Sequence, residues 1–370
     1  MIKNFSEHAK SVFENLGTDY DAMNNLMQDV ALGREIYDAE SERVISKAEA
    51  NAKILDFSRQ ILGITDASNA KEVRRAIRDN AREWFDIIED TVDKVVTVGL
   101  QSSDWFNELV ESRQIGYHDR LDFYTDTDAI LAVAKAGSSH HDHVLQRLGA
   151  GQPISIPTEL YVVKVGADIN KYVTGQVDWN KLVDAIARAY ENEIQNQVYA
   201  EVATASAQLP AQFKGTGALT SATKPAFDAL IEKVSAANNG ADVVIMGTKP
   251  ALSNLTAISN VQWAANAQKD NMMNTGTIGI YEGTRLVVVP NRFKDSTLTQ
   301  FVFPTDEIMI LPVVGDEGKF IKFVDEGDTL ISEIMDRDSK YTSDIQSYEV
   351  QRRFGVGVVL GRNFGFWDKL

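Results

Sequence analysis

The chain has no cysteine, which excludes disulfide staples, thiolate metal sites and cysteine nucleophiles and fits assembly in a reducing cytoplasm. No apolar run approaches the ~18 residues that span a bilayer. The opening residues, MIKNFSEHAK, carry neither the apolar core nor the small-residue cleavage site of a secretory signal. Basic charge is also scarce: 37 Lys and Arg face 53 Asp and Glu, a net charge of −16. Gripping nucleic acid through phosphates needs a concentrated basic surface, and here bases cluster only in short pieces such as Arg74-Arg75 and Arg352-Arg353. That argues against tight, direct DNA binding and leaves room for lying near DNA.

Catalytic signatures are missing as well. There is no phosphate-cradling GxxxxGK[ST] and no G-x-S-x-G. Imidazole and carboxylate at close spacing can hold Zn, Ni or Cu, which makes His140-His141-Asp142-His143 the one candidate cluster. Its polar, Gly-flanked setting, SSHHDHVLQRLGAG, favours a solvated tip instead. Only His8 and His118 remain elsewhere, few bases for proton transfer. Gly355 to Gly361 (GVGVVLG) glances at a dinucleotide loop, but the chain ends at Leu370, leaving no room for the following helix and acid. A glycine-relaxed strand is the better reading. Asp325-Glu326-Gly327-Asp328 reads as a solvated turn before it reads as a Ca or Mg site. No catalytic, cofactor-binding or metal residue is assigned.

What is present is ordinary globular composition, 44% hydrophobic and 24% charged over 370 residues, enough for two or three lobes. The organising stretch is Asp178 to Ala205, which holds neither Gly nor Pro. Trp179, Leu182, Val183, Ile186, Tyr190, Ile194 and Val198 recur at steps of three and four and share one helical face. Asp178 suits the N-cap. At 1.5 Å per residue the helix is ~40 Å long and needs a long surface to lie on.

Residues 1 to about 100 read as helix. Val73, Ile77, Trp84, Phe85 and Ile88 form a stripe behind a cap at Asp66 or Ser68. Asp38 to Arg59 carries only a thin stripe of Val44, Ile45, Ile54 and Leu55, so this helix is expected to lie along other subunits or to form a loosely attached hairpin. From Ile115 the period changes. RLDFYTDTDAILAVAKAG and QPISIPTELYVVKVGADI read as the two strands of a long arm, which is marginal in water unless a neighbour supports it. QLPAQFKGTGALTSATK is the best domain boundary. Beyond it α and β alternate. Phe227, Leu230, Ile231 and Val234 make a helix face ending at Asn239-Gly240, Asp242 to Met246 a strand, and Leu252, Leu255 and Ile258 a helix begun at Thr248 and Pro250. Leu286 to Pro290 is a further strand. Strands return after Phe323.

Three stretches carry a resemblance: ISIPTELYVVKVGADI leading to DWNKLVDAIARAYENEIQNQVY, then DVVIMGTKPALSNL followed by GIYEGTRLVVVPN, then SYEVQRRFGVGVVLGRNFGFW. Together, over residues 110–370, they resemble the major capsid protein of tailed bacteriophages, the Hong Kong 97 shell fold. That resemblance implies an α+β chain with an N-terminal helical arm (1–117), an extended two-stranded loop (118–160) and a peripheral lobe with the spine helix (161–215). An α/β axial lobe (216–330) and return strands (331–370) complete it. It further implies self-assembly into hexamers and pentamers of a virion head around double-stranded DNA, built in the bacterial cytoplasm. Expected partners are copies of the chain itself, scaffold and portal proteins, a decoration protein, and DNA touched weakly and non-specifically, with no membrane and no cofactor. Some relatives crosslink a loop Lys to an Asn of a neighbour. Lys135 lies in that segment, but no partner is fixed and the crosslink is not carried over. Because the chain begins at Met1, an untrimmed subunit with a separate scaffold is expected. The competing readings are an encapsulin-type compartment, a metal enzyme using His140 to His143, and a tail or baseplate protein.

Overall fold

The computed structural model describes residues 11–12, 20–34, 36–37, 44–65, 69–101, 103–116, 119–124, 153–167, 179–259, 272–294, 297–315, 318–327, 329–333, 346–359 and 363–370. Helix α1 (Tyr20–Ala31) buries Met23, Met27 and Val30. A short antiparallel pair follows, β1 (Ile36–Tyr37) with β2 (Val44–Ile45). Helix α2 (Lys47–Leu62) starts at a reciprocal cap: Glu49 N–H donates to Ser46 Oγ at 3.3 Å and Ser46 N–H donates to Glu49 Oε2 at 3.2 Å. It stops at Gly63, whose φ of 72° suits a residue without Cβ. The thin-striped helix expected over Asp38 to Arg59 is therefore corrected. Val44 and Ile45 are strand, and Phe57, Ile61 and Leu62 widen the stripe enough to pack α2 on α3 (Ala70–Gln101) within the same chain. The expected caps Asp66 and Ser68 lie outside the described residues. Asn69 caps α3, its Oδ1 accepting from the Lys71 and Glu72 amides at 3.2 and 3.4 Å.

Helix α4 (Asp104–Leu109) and strand β3 (Val110–Gln114) come next. Then β4 (Asp122–Tyr124), β5 (Pro153–Ser155) and β6 (Glu159–Ala167) lead to the spine, α5 (Trp179–Gln208). Val183, Ile186, Tyr190, Ile194 and Val198 are buried along it, and Val202 and Ala205 continue the same face past the expected stripe. Next come β7 (Lys214–Thr216), α6 (Lys224–Ala237), β8 (Val243–Thr248), α7 (Lys249–Ser253) and α8 (Leu255–Ile258). The last strands are β9 (Ile280–Tyr281), β10 (Thr284–Val289), β11 (Ile308–Pro312), β12 (Ile321–Asp325), β13 (Leu330–Glu333), β14 (Gln346–Val358) and β15 (Gly365–Asp368).

The chain divides into two compact units. One takes Met1–Ser102, Glu159–Glu193 and Glu326–Phe354; the other takes Ser103–Thr158, Ile194–Asp325 and Gly355–Leu370. In the first unit α1, α2 and α3 pack on one another, and β6, β14 and β13 form antiparallel ladders. In the second, six strands run in the order β7-β15-β11-β8-β10-β9, parallel between β8 and β10 and between β15 and β7. Here α6 buries Phe227, Leu230 and Val234, and the Phe227 ring meets Tyr281 and Trp367 edge-on at 5.7 and 5.4 Å. Helix α6 ends with Asn239 and Gly240 at φ of 59° and 77°, as the Asn-Gly pair predicts.

Candidate assembly surfaces

Of the two expected extended stretches, Asp122–Tyr124 and Pro153–Ser155 meet antiparallel in the second unit, with Phe123 opposite Ile154 and Asp122 opposite Ser155, whereas the rest of the second stretch is β6, which pairs with β14 instead. Phe123 seals a small core with Ile156, Val324 and Val359, rimmed by Ile115, Leu121 and Ile154. Beneath it Lys322, 5.5 Å from the Phe123 ring centre, forms an ion pair with Glu111. The two side chains are 3% and 5% exposed, and Arg113 Nε donates to the second Glu111 oxygen at 2.8 Å. A buried carboxylate answered by two cations is stable only with such close geometry. The pair sits where the parallel register of β3 and β12 sets Glu111 opposite Lys322. Close backbone packing completes the base. A Cβ on Gly355 would fall 2.3 Å from the Pro157 carbonyl oxygen, so this crossing requires glycine. Strands β4 and β5 are thus fixed to the second unit.

The first unit presents a sheet with two unlike faces. Residues opposite one another across a ladder share a face. One such row is Val162, Gln351 and Leu330, on β6, β14 and β13 in turn. Leu160, Val162 and Leu330 are 45%, 42% and 56% exposed, and Lys164 pairs with Glu349 at 3.8 Å on that side. The other face is covered. Tyr190 of α5 donates to the Val350 carbonyl at 2.7 Å, and the Tyr161 ring stacks on Phe354 with centroids 4.0 Å apart. Arg352, 1% exposed, donates from Nη1 to Asp93 Oδ1 on α3 at 2.8 Å. Asp93 Oδ2 also accepts from the Thr329 amide at 3.2 Å. Burial pushes the Tyr190 phenol above its ordinary range, opposed by Arg352 and reinforced by Asp93.

In the second unit Lys224, at the start of α6, donates to Asp228 at 2.6 Å and to Glu282 at 2.5 Å, and Tyr281 donates to Asp228 at 2.8 Å. Partial burial disfavours the ammonium, yet these hydrogen bonds raise Lys224 above its usual range. The cluster ties the first turn of α6 to the Glu282-Gly283 turn of the β9–β10 hairpin.

The candidate motifs fall as follows. His140 to His143 and Lys135 lie outside the described residues. Gly355 to Val358 continue β14 as strand. The solvated turn expected at Asp325 is corrected: Asp325 and Glu326 are buried at the end of β12, ahead of a turn at Gly327, φ 74°. Among the described residues no group of three or more His, Cys, Asp or Glu is arranged to hold a metal ion, and no helix is long and apolar enough to cross a membrane. Of the Arg352-Arg353 pair, Arg352 is spent inside the fold. The buried Lys322–Glu111 pair escaped the sequence reading, since its partners come from distant segments.

A model of the family described as "SPbeta prophage-derived putative capsid protein YonB" matches residues 22–368. The chain belongs to the YonB family. Its function is that of a phage capsid protein, a structural role. No curated protein matches the chain. Several solved structures do. The mature capsid of bacteriophage PhiM1 is 12% identical, with 72% of this chain and 87% of that one covered at a TM-score of 0.46. The capsid of cyanophage P-SCSP1u is 13% identical, with 71% and 87% covered and a TM-score of 0.43. The holo-SrpI encapsulin complex of Synechococcus elongatus is 10% identical, with 71% and 86% covered and a TM-score of 0.40.

Proposed function

We propose that this YonB-family chain is the major capsid protein of a tailed phage, forming hexamers and pentamers of an icosahedral or prolate head around double-stranded DNA. The observation that carries this reading is the family match across residues 22–368. The division into arm (1–117), extended loop (118–160), peripheral lobe (161–215), axial lobe (216–330) and return strands (331–370) belongs to the same proposal, as do a scaffold, a portal and assembly in the host cytoplasm. Two features support the mechanism. The arm's strands are clamped at Phe123 and Ile154 above the Lys322–Glu111 pair, so a segment reaching a neighbour transmits its hold to a rigid body. The open sheet face keeps Leu160, Val162 and Leu330 in solvent, and a shell closes by repeating such modest contacts many times.

Net charge fits the enclosed genome. At −16 per chain, and with Arg352 neutralised by Asp93, the subunit repels DNA rather than gripping it, which lets the duplex slide during filling and release. The test is expression of the chain alone and with its scaffold, followed by electron microscopy and analysis of the particle contents. Closed shells that hold DNA in the phage support the reading. Shells that hold an enzyme cargo, or a chain that stays a compact monomer under every condition, overturn it.

A further inference from the structure

We infer that Glu89 and Asp93, one turn apart on α3, form an autoinhibitory guard that shuts the outer edge of β13 against pairing with another extended strand. The inference is independent of the capsid reading. Among the described strands β13 stands at one end of its sheet and pairs with β14. A sheet edge normally offers a row of unpaired amides and carbonyls, a template for a further strand. Here the donors are already taken. The Ile331 amide donates to Glu89 Oε1 at 2.5 Å, and the Thr329 amide donates to Asp93 Oδ2 at 3.2 Å. Residues two apart in a strand turn their amides to the same side, so both of these point away from β14 and towards the helix. The spacing explains the fit. Two residues of strand advance about 6.6–6.8 Å, and four residues of helix advance about 6 Å. Carboxylates at i and i+4 therefore meet alternate amides of a strand lying beside the helix.

An ionised carboxylate accepts hydrogen bonds and donates none. It satisfies an edge amide strongly and presents nothing with which an incoming strand could continue the ladder. The guard is also braced. Asp93 Oδ1 accepts from Arg352 Nη1 at 2.8 Å and from the Thr329 hydroxyl, and Thr329 is 3% exposed. What lies behind it is adhesive. Leu330, between the two captured residues, is 56% exposed, and Leu160 and Val162 of the same sheet are 45% and 42% exposed. Without the two carboxylates β13 becomes an apolar strand with an open edge, the arrangement that associates edge to edge.

The test uses the full, unassembled chain, with hydrogen–deuterium exchange read by overlapping peptides and association followed by thioflavin T fluorescence. In the wild type the Thr329 and Ile331 amides are expected to exchange slowly. Glu89→Ala removes one acceptor and should speed exchange at Ile331 at least tenfold, with β-type association at least tenfold faster than wild type. Glu89→Gln keeps an accepting oxygen and should match the wild type in both. Glu89→Ala combined with Leu330→Lys separates edge pairing from simple loss of stability, because a lysine on the edge opposes an incoming strand without restoring the lost hydrogen bond. That chain should associate at the wild-type rate while its Ile331 amide still exchanges fast. Association of the double variant as fast as that of Glu89→Ala overturns the inference, as does Glu89→Ala that associates no faster than wild type. Fast exchange of the Thr329 and Ile331 amides in the wild-type chain overturns it without recourse to any variant.

Discussion

Breaking the Arg352–Asp93 pair from either end is predicted to have unequal consequences. Arg352 is 1% exposed, whereas the Asp93 side chain is 21% exposed. Asp93→Ala removes the carboxylate to which a fully buried guanidinium donates, and it takes away the acceptor of the Thr329 amide and hydroxyl. Truncating one partner of a buried pair typically costs about 3–5 kcal/mol, a large part of the roughly 5–15 kcal/mol that holds a domain together. Arg352→Met, by contrast, leaves Asp93 with the Thr329 donors and partial access to water. The charge-assisted hydrogen bond alone is worth about 1.5–3 kcal/mol, and the methionine refills part of the volume. The double variant Asp93→Ala with Arg352→Met removes both charges, and replacing a buried ion pair with apolar residues is often close to neutral. Urea unfolding of the unassembled chain, followed by circular dichroism, gives the cycle. The expected order of destabilisation is Asp93→Ala, then Arg352→Met, then the double variant, with a coupling of roughly 2 kcal/mol or more. Equal single effects that add within about 0.5 kcal/mol would refute the reasoning.

Gly355→Ala forces a Cβ to 2.3 Å from the Pro157 carbonyl, whereas Gly357→Ala meets only Ile156 side-chain carbons at 3.0 and 3.1 Å. The first should cost several kcal/mol or abolish soluble expression and the second about 1 kcal/mol, read as unfolding midpoints. Tyr190→Phe deletes one buried hydrogen bond to the Val350 carbonyl and should lower stability by about 1 kcal/mol, with the Val350 oxygen left unsatisfied. Burial holds Glu307 above the ordinary carboxylate range, countered by its hydrogen bond from Tyr199 and reinforced by Asp306 and Asp368. Its protonated form therefore favours the fold. That contribution is full below the unfolded value and is lost as pH rises through the raised folded one. Glu307→Gln should consequently raise the melting temperature near neutral pH and leave it unchanged at about pH 4, checked by thermal melts across that range.

The spine was legible because nothing in it competes. Its apolar residues sit at helical spacing with no Gly or Pro, and Val183, Ile186, Tyr190, Ile194 and Val198 are buried as that spacing requires. The α/β alternation was legible for similar reasons, with Asn239-Gly240 and Gly283 marking real left-handed turns. The stretch around Val44 misled because a two-residue strand and a capping box at Ser46 interrupt what looks like one charged helix. Arg352 is the more instructive case. Counted with Arg353 it looks like surface charge, yet strand alternation sets it between Val350 and Phe354, on the face that packs inward. The period-two pattern held that information, and a charge count discards it. The Lys322–Glu111 pair could not be found this way, because it depends on β3 and β12 meeting in parallel register, a long-range fact with no local trace.

Charge inside the units and charge outside them act in opposite directions. Within, Lys322 is answered by Glu111 and Arg352 by Asp93, so their attraction is confined to the fold and contributes little to the field around it. Outside, a net −16 per copy makes every approach of two copies repulsive over about one Debye length, ~8 Å at physiological salt. Under the capsid reading, association rests on short-range apolar contact, for which the exposed Leu160, Val162 and Leu330 are available, gaining about 25 cal/mol for each Å² removed from water. A contact that small, set against that repulsion, is weak for any single pair of subunits and reverses readily. Weakness is useful while a shell is growing, since a misplaced subunit leaves before it is surrounded. It ceases to matter once closure makes every copy answer to several neighbours at once.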